Sequence, residues 1–434
     1  MAFLGMRGNG DWVADQRPKS YRESILYLYP NGMVPLTAIL AKLKSESVDD
    51  PEFNWWTKTL PTQSAAITGV YTDVALSSAY TSGGVVGSVL YIKMAAASVA
   101  EFRIGHQVLL RDASDFTVDV NAKVIGKSTN GASSYIQVSL LEADDNSSYS
   151  HDLSDADRVI IIGNVNEEGA AMPSAIAYDP VKLYNYTQIF RTPLSITRTA
   201  RKTKLRTGDQ YKEAKREALE LHSIEMERAF LFGQMLETTG ADGKPERTTQ
   251  GILNCLRANV PANVDDFMLN TAYDGKAWLD DGGGEDWLDA YLEVCFRYGS
   301  GDKLALCGSG ALLGLNKLAK AGSHFTLTPT TKSYGINVVD WVTPFGTISL
   351  KTHPLFSMET SLQKSMLILE PSNLRYRYID DTSFYGEGQA KQSGPGTNAG
   401  RRDGTVEEFL TEAGLEMHHP ATMMFLNGVG GDNA

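Results

Sequence analysis

The stretch Asp209–Gln234, DQYKEAKREALELHSIEMERAFLFGQ, restricts the fold more than any other part of the sequence. No Gly or Pro interrupts it before Gly233, Thr207-Gly208-Asp209 offers an N-terminal cap, and Gly233 can mark the stop. Twenty-odd helical residues at 1.5 Å each span roughly 35–40 Å. Tyr211, Ala214, Ala218, Leu221, Ile224 or Glu225, and Phe232 alternate with charge, so one face is expected in a core and the other in water. A helix of that length exceeds the needs of a compact domain and reads as a structural beam.

The rest of the 434 residues must fold around it, and at ~100–200 residues per domain that length allows two to four folding units. Hydrophobic content of 42%, charged content of 21% and 16 prolines exclude collagen-like, coiled-coil and wholly disordered chains. Cys255, Cys295 and Cys307 are too few for a disulfide framework, so a reducing compartment is expected. The start, MAFLGMRGNGDWVADQ, lacks a basic run followed by an apolar one, and no stretch approaches ~18 consecutive apolar residues. The expectation is a soluble, mildly acidic intracellular protein. With 52 acidic against 40 basic side chains, a net charge of −12 argues against coating nucleic acid by a global field.

Residues 1–20 read as a loose polar arm. A helical run after Ser20 breaks at Pro30-Asn31-Gly32 and resumes with Leu36, Ile39, Leu40 and Leu43 at helical spacing; Phe53–Leu60 is aromatic and β-prone. Between about Val85 and Val165, five β-branched runs (Val89–Ile92, Gln107–Leu110, Phe116–Val124, Tyr135–Leu141, Arg158–Ile162) are divided by turn-like segments, which predicts a small inserted all-β module. Beyond the long helix, helices are expected at Glu285–Tyr298 and Ala311–Lys320. Strands are expected at Lys303–Cys307, Asn337–Val342, Thr347–Thr352, Ser365–Leu369, Val406–Met417 and Ala421–Leu426. Residues 386–404 are glycine-rich without a large apolar side chain and read as a mobile loop.

Gly308-Ser309-Gly310-Ala311-Leu312-Leu313-Gly314 lies between a strand and a helix, the context of a phosphate-cradling loop. Its spacing is one residue too long for GxGxxG and no acid stands ~20 residues on, so a tight strand-to-helix turn is the plainer reading. Cys307 occupies the first glycine position of GxSxG around Ser309, CxxC and HExxH are absent, and the scattered histidines lack ligand spacing; His222, inside the long helix, reads as packing or surface. Asp280–Asp286 lacks the alternation of an EF-hand and suits a helix start. No catalytic, cofactor or metal constellation emerges.

Charge is distributed more tellingly. Lys182, Arg191, Arg198, Arg201, Lys202, Lys204 and Arg206 occupy a stretch without one acid. Glu142, Asp144, Asp145, Asp152, Asp155, Asp157, Glu167 and Glu168 crowd another, against Arg158 alone. Each tract can be a solvated face, or the basic surface of one subunit can meet the acidic loop of another and set register. Basic groups facing DNA fit an acidic protein less well.

The order of parts is itself informative: a loose arm, PEFNWWTKTLPTQSAA, a β-rich excursion, YTQIFRTPLSITRTARKT running into the helix with ERAFLFG near its end. Then come an αβ region, TPFGTISLKTHPLF, SMLILEPSNLRYRYI and FLTEAGLEMHHPATMMFLNGV. Over most of residues 20–430 this resembles the major capsid proteins of tailed bacteriophages, whose fold is shared with herpesvirus capsid floors and encapsulin shells, and especially the subset with a β-rich insertion. The resemblance implies an α+β fold with an N-terminal arm and aromatic segment (1–61) and an extended loop bearing the β module (62–185). It further implies a peripheral domain with the spine helix (186–245), an axial domain (246–375) and return strands (376–434). It implies a non-enzymatic coat protein without cofactors, forming hexamers and pentamers of an icosahedral head around double-stranded DNA, assembled in the host cytoplasm and resident in the virion. Implied partners are further copies of itself, a separate scaffolding protein, a portal and a decoration protein, with weak non-specific contact to DNA and none to membrane. The other readings are a nucleotide-binding enzyme built on Gly308–Gly314 and a cellular nanocompartment shell. Phe53, Trp55 and Trp56 are expected either as interface anchors, since aromatic side chains dominate interface energetics, or as packing beneath the chain's own spine helix.

Overall fold

The computed structural model describes residues 35–433 except 42, 59–60, 62, 114–117, 145–151, 170–171, 174, 204–208, 322–325, 334–335 and 386–403. The chain divides into two compact units, one within Lys58–Val181 and the other made of the described residues up to Thr57 together with those from Lys182 onward.

The smaller unit is built on period-2 alternation. His106–Arg111, Asp119–Ser128 and Tyr135–Leu140 turn Val108, Leu110, Val120, Ala122, Val124, Ile136, Val138 and Leu140 inward, each almost wholly buried. They lie in a seven-stranded sheet of order Ser64–Ala66, Arg158–Asn164, His106–Arg111, Asp119–Ser128, Tyr135–Leu140, Val89–Lys93, Gly69–Tyr71, in which every pair is antiparallel. Two residues, Ile67 and Thr68, join its outermost strands, and their N–H groups donate to Asp157 O and Lys93 O on either side. The inserted β module read from the sequence is therefore present, with its own core.

In the larger unit the long helix runs Gln210–Phe232, with Asp209 Oδ1 accepting from the Tyr211 N–H at 3.0 Å. Its buried positions are Ala218, His222, Met226, Glu227, Phe230 and Leu231, whereas Leu221 is 56% exposed. The inner face is thus rotated from the expected one: the row four apart, 218-222-226-230, meets the sheet. Two polar side chains sit on that row's side because partners await them inside. The sheet beneath has the order Ser45–Ser47, Leu374–Tyr385, Gly404–Met417, Gln188–Thr197. Phe230 meets Phe190 and Tyr376 edge-on at 6.1 and 6.2 Å, within a core that also holds Leu36, Leu40, Ala413 and Leu415.

A second core in the same unit gathers Phe267, Trp278, Trp287, Leu292, Leu315 and Trp341 on a mixed seven-stranded sheet of order Val264–Asp266, Met424–Asn427, Met366–Leu369, Asp302–Cys307, Thr347–Thr352, Ile336–Val342, Thr326–Ser333. Helices Gly284–Phe296 and Ser309–Ala321 supply part of that core. Both were expected within two residues at either end. Strands Gln188–Thr197 and Leu374–Tyr385 were not expected. The loop read at 386–404 falls outside the described residues except for Gly404, which opens a strand.

Candidate subunit-contact surfaces

Strand Glu52–Thr57 pairs with Val181–Tyr186 in a two-stranded ribbon, and alternation sends Phe53 and Trp55 to one side and Trp56 to the other. Phe53 and Trp55 are 6% and 7% exposed and stack with centroids 6.0 Å apart. Phe53 lies against Gly414, where an added Cβ would come within 2.8 Å of its ring. These two are therefore corrected from open anchors to side chains buried in the chain, with Phe53 packed against a strand and not beneath the long helix. Trp56, 65% exposed, is the member of the trio left facing solvent.

The basic tract is also less bare than its sequence. Antiparallel pairing sets Glu407 opposite Leu194 and Glu408 opposite Pro193. Arg191 makes a two-pronged contact to Glu408 (2.9 and 2.6 Å), which raises the guanidinium pKa further. Arg201 lies 4.9 Å over the Tyr211 ring, whose hydroxyl donates to Glu407 at 2.6 Å. Thr197 caps the short helix Arg198–Lys202, and Arg198, Arg201 and Lys202 are exposed on it. Lys204 and Arg206 lie outside the described residues.

Carboxylates of the acidic tract largely serve local turns. Asp144, 6% exposed, accepts from the Tyr80 hydroxyl at 2.6 Å, and its other oxygen is buried without a partner among the described residues. Burial and this carboxylate together push the Tyr80 phenol well above its ordinary range. Asp144 is thus corrected from a surface charge to a core residue. Asp152 and Asp155 form a reciprocal capping box around Leu153–Asp155, and Asp157 accepts from the Ala113 N–H at 2.8 Å. Asp155 and Asp157 are exposed, Asp152 is half-buried, and Asp145 lies outside the described residues.

Three main-chain donors of the Gly308–Gly314 turn are committed. The Gly308 N–H donates to Ser365 O at 2.9 Å, Ser309 N–H to Ser357 Oγ at 3.1 Å, and Ala311 N–H to Gln363 O at 3.0 Å. A Cβ on Gly314 would fall 2.5 Å from Gly430 Cα, so that glycine permits backbone to pass backbone. The phosphate-loop alternative is corrected accordingly: this is a packing turn. Near the helix start, Asp280 accepts from the Ala277 N–H at 2.8 Å while Glu285 and Asp286 occupy the first helical turn.

Sequence reading missed the buried charges. Glu416 is 2% exposed; burial would raise its carboxyl, but hydrogen bonds from His418 and Arg377 outweigh that and hold it below the ordinary range. Arg377 also meets Glu46, which Arg375 contacts at 3.1 Å. Glu416 lies on the expected strand Val406–Met417, whereas Glu46, Arg375 and Arg377 lie on two strands that were not expected, and only alternation along all three could have indicated which of these charges point inward.

A model of the SU10 major capsid protein family matches residues 7–430. The chain belongs to that family. A curated relative, the major capsid protein of Pseudomonas phage PaMx41, is 24% identical over 427 residues, covering 95% of this chain and 92% of that one. Among solved structures, the capsid of Myoviridae phage XM1 is 9% identical, with 97% of this chain and 100% of that chain covered and a TM-score of 0.42. The capsid of a native GTA particle is 9% identical, with 95% and 96% covered and a TM-score of 0.43. Likenesses this remote add nothing to the assignment, which rests on the family match. The family member described here is a phage-head coat protein of α+β architecture; it works by association with further copies, and its place is the virion.

Proposed function

We propose that copies of this chain form the hexamers and pentamers of an icosahedral head closed around double-stranded DNA, and that the chain performs no catalysis. The match to a capsid-protein family along residues 7–430 carries the reading. In it, residues 1–61 are an arm and aromatic segment, 62–185 the extended loop with its β module, 186–245 the peripheral domain with the spine helix, 246–375 the axial domain and 376–434 the return strands. Trp56 and the exposed Arg191, Arg198, Arg201 and Lys202, continuing into Lys204 and Arg206, form one side of a subunit contact. Asp145, Asp152, Asp155 and Asp157 of a neighbour form the other. Because Arg191 and Arg201 already have partners in their own chain, the pairing sets register more than affinity. A net charge of −12 favours a lumen that holds DNA weakly. Assembly takes place in the host cytoplasm with a separate scaffolding protein, a portal and a decoration protein.

Electron microscopy of the purified chain with its scaffold tests the shell; a chain that stays monomeric or dimeric refutes it. Joint reversal of Arg198, Arg201 and Lys202 to Glu tests the pairing. Particle yield is expected to fall at least tenfold while the subunit's circular dichroism is unchanged, and normal particles from that variant would refute the pairing.

A further inference from the structure

Glu227 stands at the middle of the long helix's buried face, fully excluded from solvent. Its Oε1 accepts from the Leu36 N–H at 2.8 Å and contacts His353 Nε2 at 3.0 Å. Its Oε2 accepts from the Thr37 N–H at 2.6 Å and from the Thr37 hydroxyl at 2.5 Å. Leu36 and Thr37 belong to the short helix Pro35–Leu40, which sits 190 residues away in the chain. Its first N–H groups have no carbonyl within the helix to bond, and a carboxylate supplied by another element satisfies them. His353 is also fully buried, stacks on Phe356 at 4.4 Å and has no partner for Nδ1 among the described residues, so within them its ring is held from one nitrogen and one face.

The same short segment is fastened again at its far end. Ser45–Ser47 pairs in parallel with Tyr376–Tyr378, and Glu46 meets Arg375 and Arg377. Between the two ties Leu36, Ile39 and Leu40 are buried. The far tie is half-exposed and shared between two arginines. The near tie is dry, and one carboxylate makes it all. Removing that carboxylate leaves two main-chain donors, a hydroxyl and an imidazole unsatisfied in a closed site, the situation in which a polar deletion has its largest effect.

We infer that Glu227 is a positioning residue for shell assembly: its carboxylate fixes the place and direction at which the residues before Pro35 join the body. The inference rests on the reading of those residues as an arm that contacts a neighbouring copy. A carboxylate is required chemically, because each of its oxygens faces a main-chain N–H that can only donate. A carboxamide of the same shape turns an NH2 toward one of those donors.

Hydrogen exchange on the unassembled full chain tests the tie, and particle yield tests its consequence. In E227Q the Leu36 and Thr37 amides are expected to exchange at least tenfold faster. The Val48 amide, bonded to Tyr378 O, should keep its protection, a contrast that general loosening would erase. Particle yield should fall at least tenfold. Should E227Q fail to fold, T37V, which removes one donor, is expected to accelerate the same two amides severalfold. Unchanged exchange at Leu36 and Thr37 in the folded variants overturns the inference, as does released exchange with normal particle yield. Deleting residues 1–30 separates the two readings: normal assembly of that deletion removes the arm, and with it the assembly role of Glu227, whatever the exchange shows.

Discussion

His222 lies between two threonine hydroxyls, with Nδ1 3.0 Å from Thr192 Oγ1 and Nε2 2.8 Å from Thr411 Oγ1. A neutral ring can donate to one and accept from the other, and burial lowers its proton affinity despite nearby Glu225. The unfolded chain takes up this proton near pH 6.5, the folded one only below that. The contribution is therefore complete above pH ~6.5 and is lost as pH falls through the depressed folded value. Melting temperature should decline between pH 7 and 5, with a shallower slope in His222→Gln; identical slopes would contradict this. The cysteines give a second check at this scale. Burial pushes the Cys255 and Cys295 thiols up to about 11 and Cys307 higher still, so little thiolate exists near neutrality. Native protein should resist a maleimide that labels all three sites in denaturant, as counted by intact mass; rapid labelling of the native chain would show these thiols to be accessible.

Between elements, tight backbone crossings and buried charge ties dominate. The helix Ser309–Ala321 passes the C-terminal turn at Gly314 and Gly430, and Gly314→Ala should lower stability by about 1–3 kcal/mol, the usual range for overpacking, measured by denaturant midpoint. The Glu416 tie between strands acts in acid. With its carboxyl held below the ordinary value by His418 and Arg377, its stabilisation is present above pH ~4.3 and lost as pH falls through the folded value. Glu416→Gln should therefore flatten the acid limb of the stability curve, and an unaltered limb would count against the tie. Much at this scale was legible in the sequence. The long helix declared itself by its cap and unbroken charge, and the β module by alternation such as Val120, Ala122, Val124. Strand Gln188–Thr197 was hidden because Pro193 and Arg191 interrupt its outward positions; it tolerates a proline because its described pairing is on one side only, to Gly404–Met417. Glu227 could not be singled out, since nothing local separates it from the other acids on that helix.

For the whole molecule, the unit at Lys58–Val181 holds a core contributed entirely from its own span, from Ala65 to Val159. Expressed alone, residues 58–181 should unfold in one cooperative transition with a β-rich circular dichroism spectrum; a non-cooperative melt would mean that this core needs the rest of the chain. At the root of that excursion the outgoing strand Glu52–Thr57 and the returning strand Val181–Tyr186 are paired, and the Thr187 N–H donates to the Pro51 carbonyl at 2.8 Å, so the polypeptide departs and comes back side by side. A graft requires just such a junction. Whatever lies beyond that ribbon, from Lys58 to Pro180, can be lengthened, traded for a foreign cassette or dropped while the flanking backbone keeps its course, which gives a lineage of such shells a place to acquire new parts without redesigning the old ones.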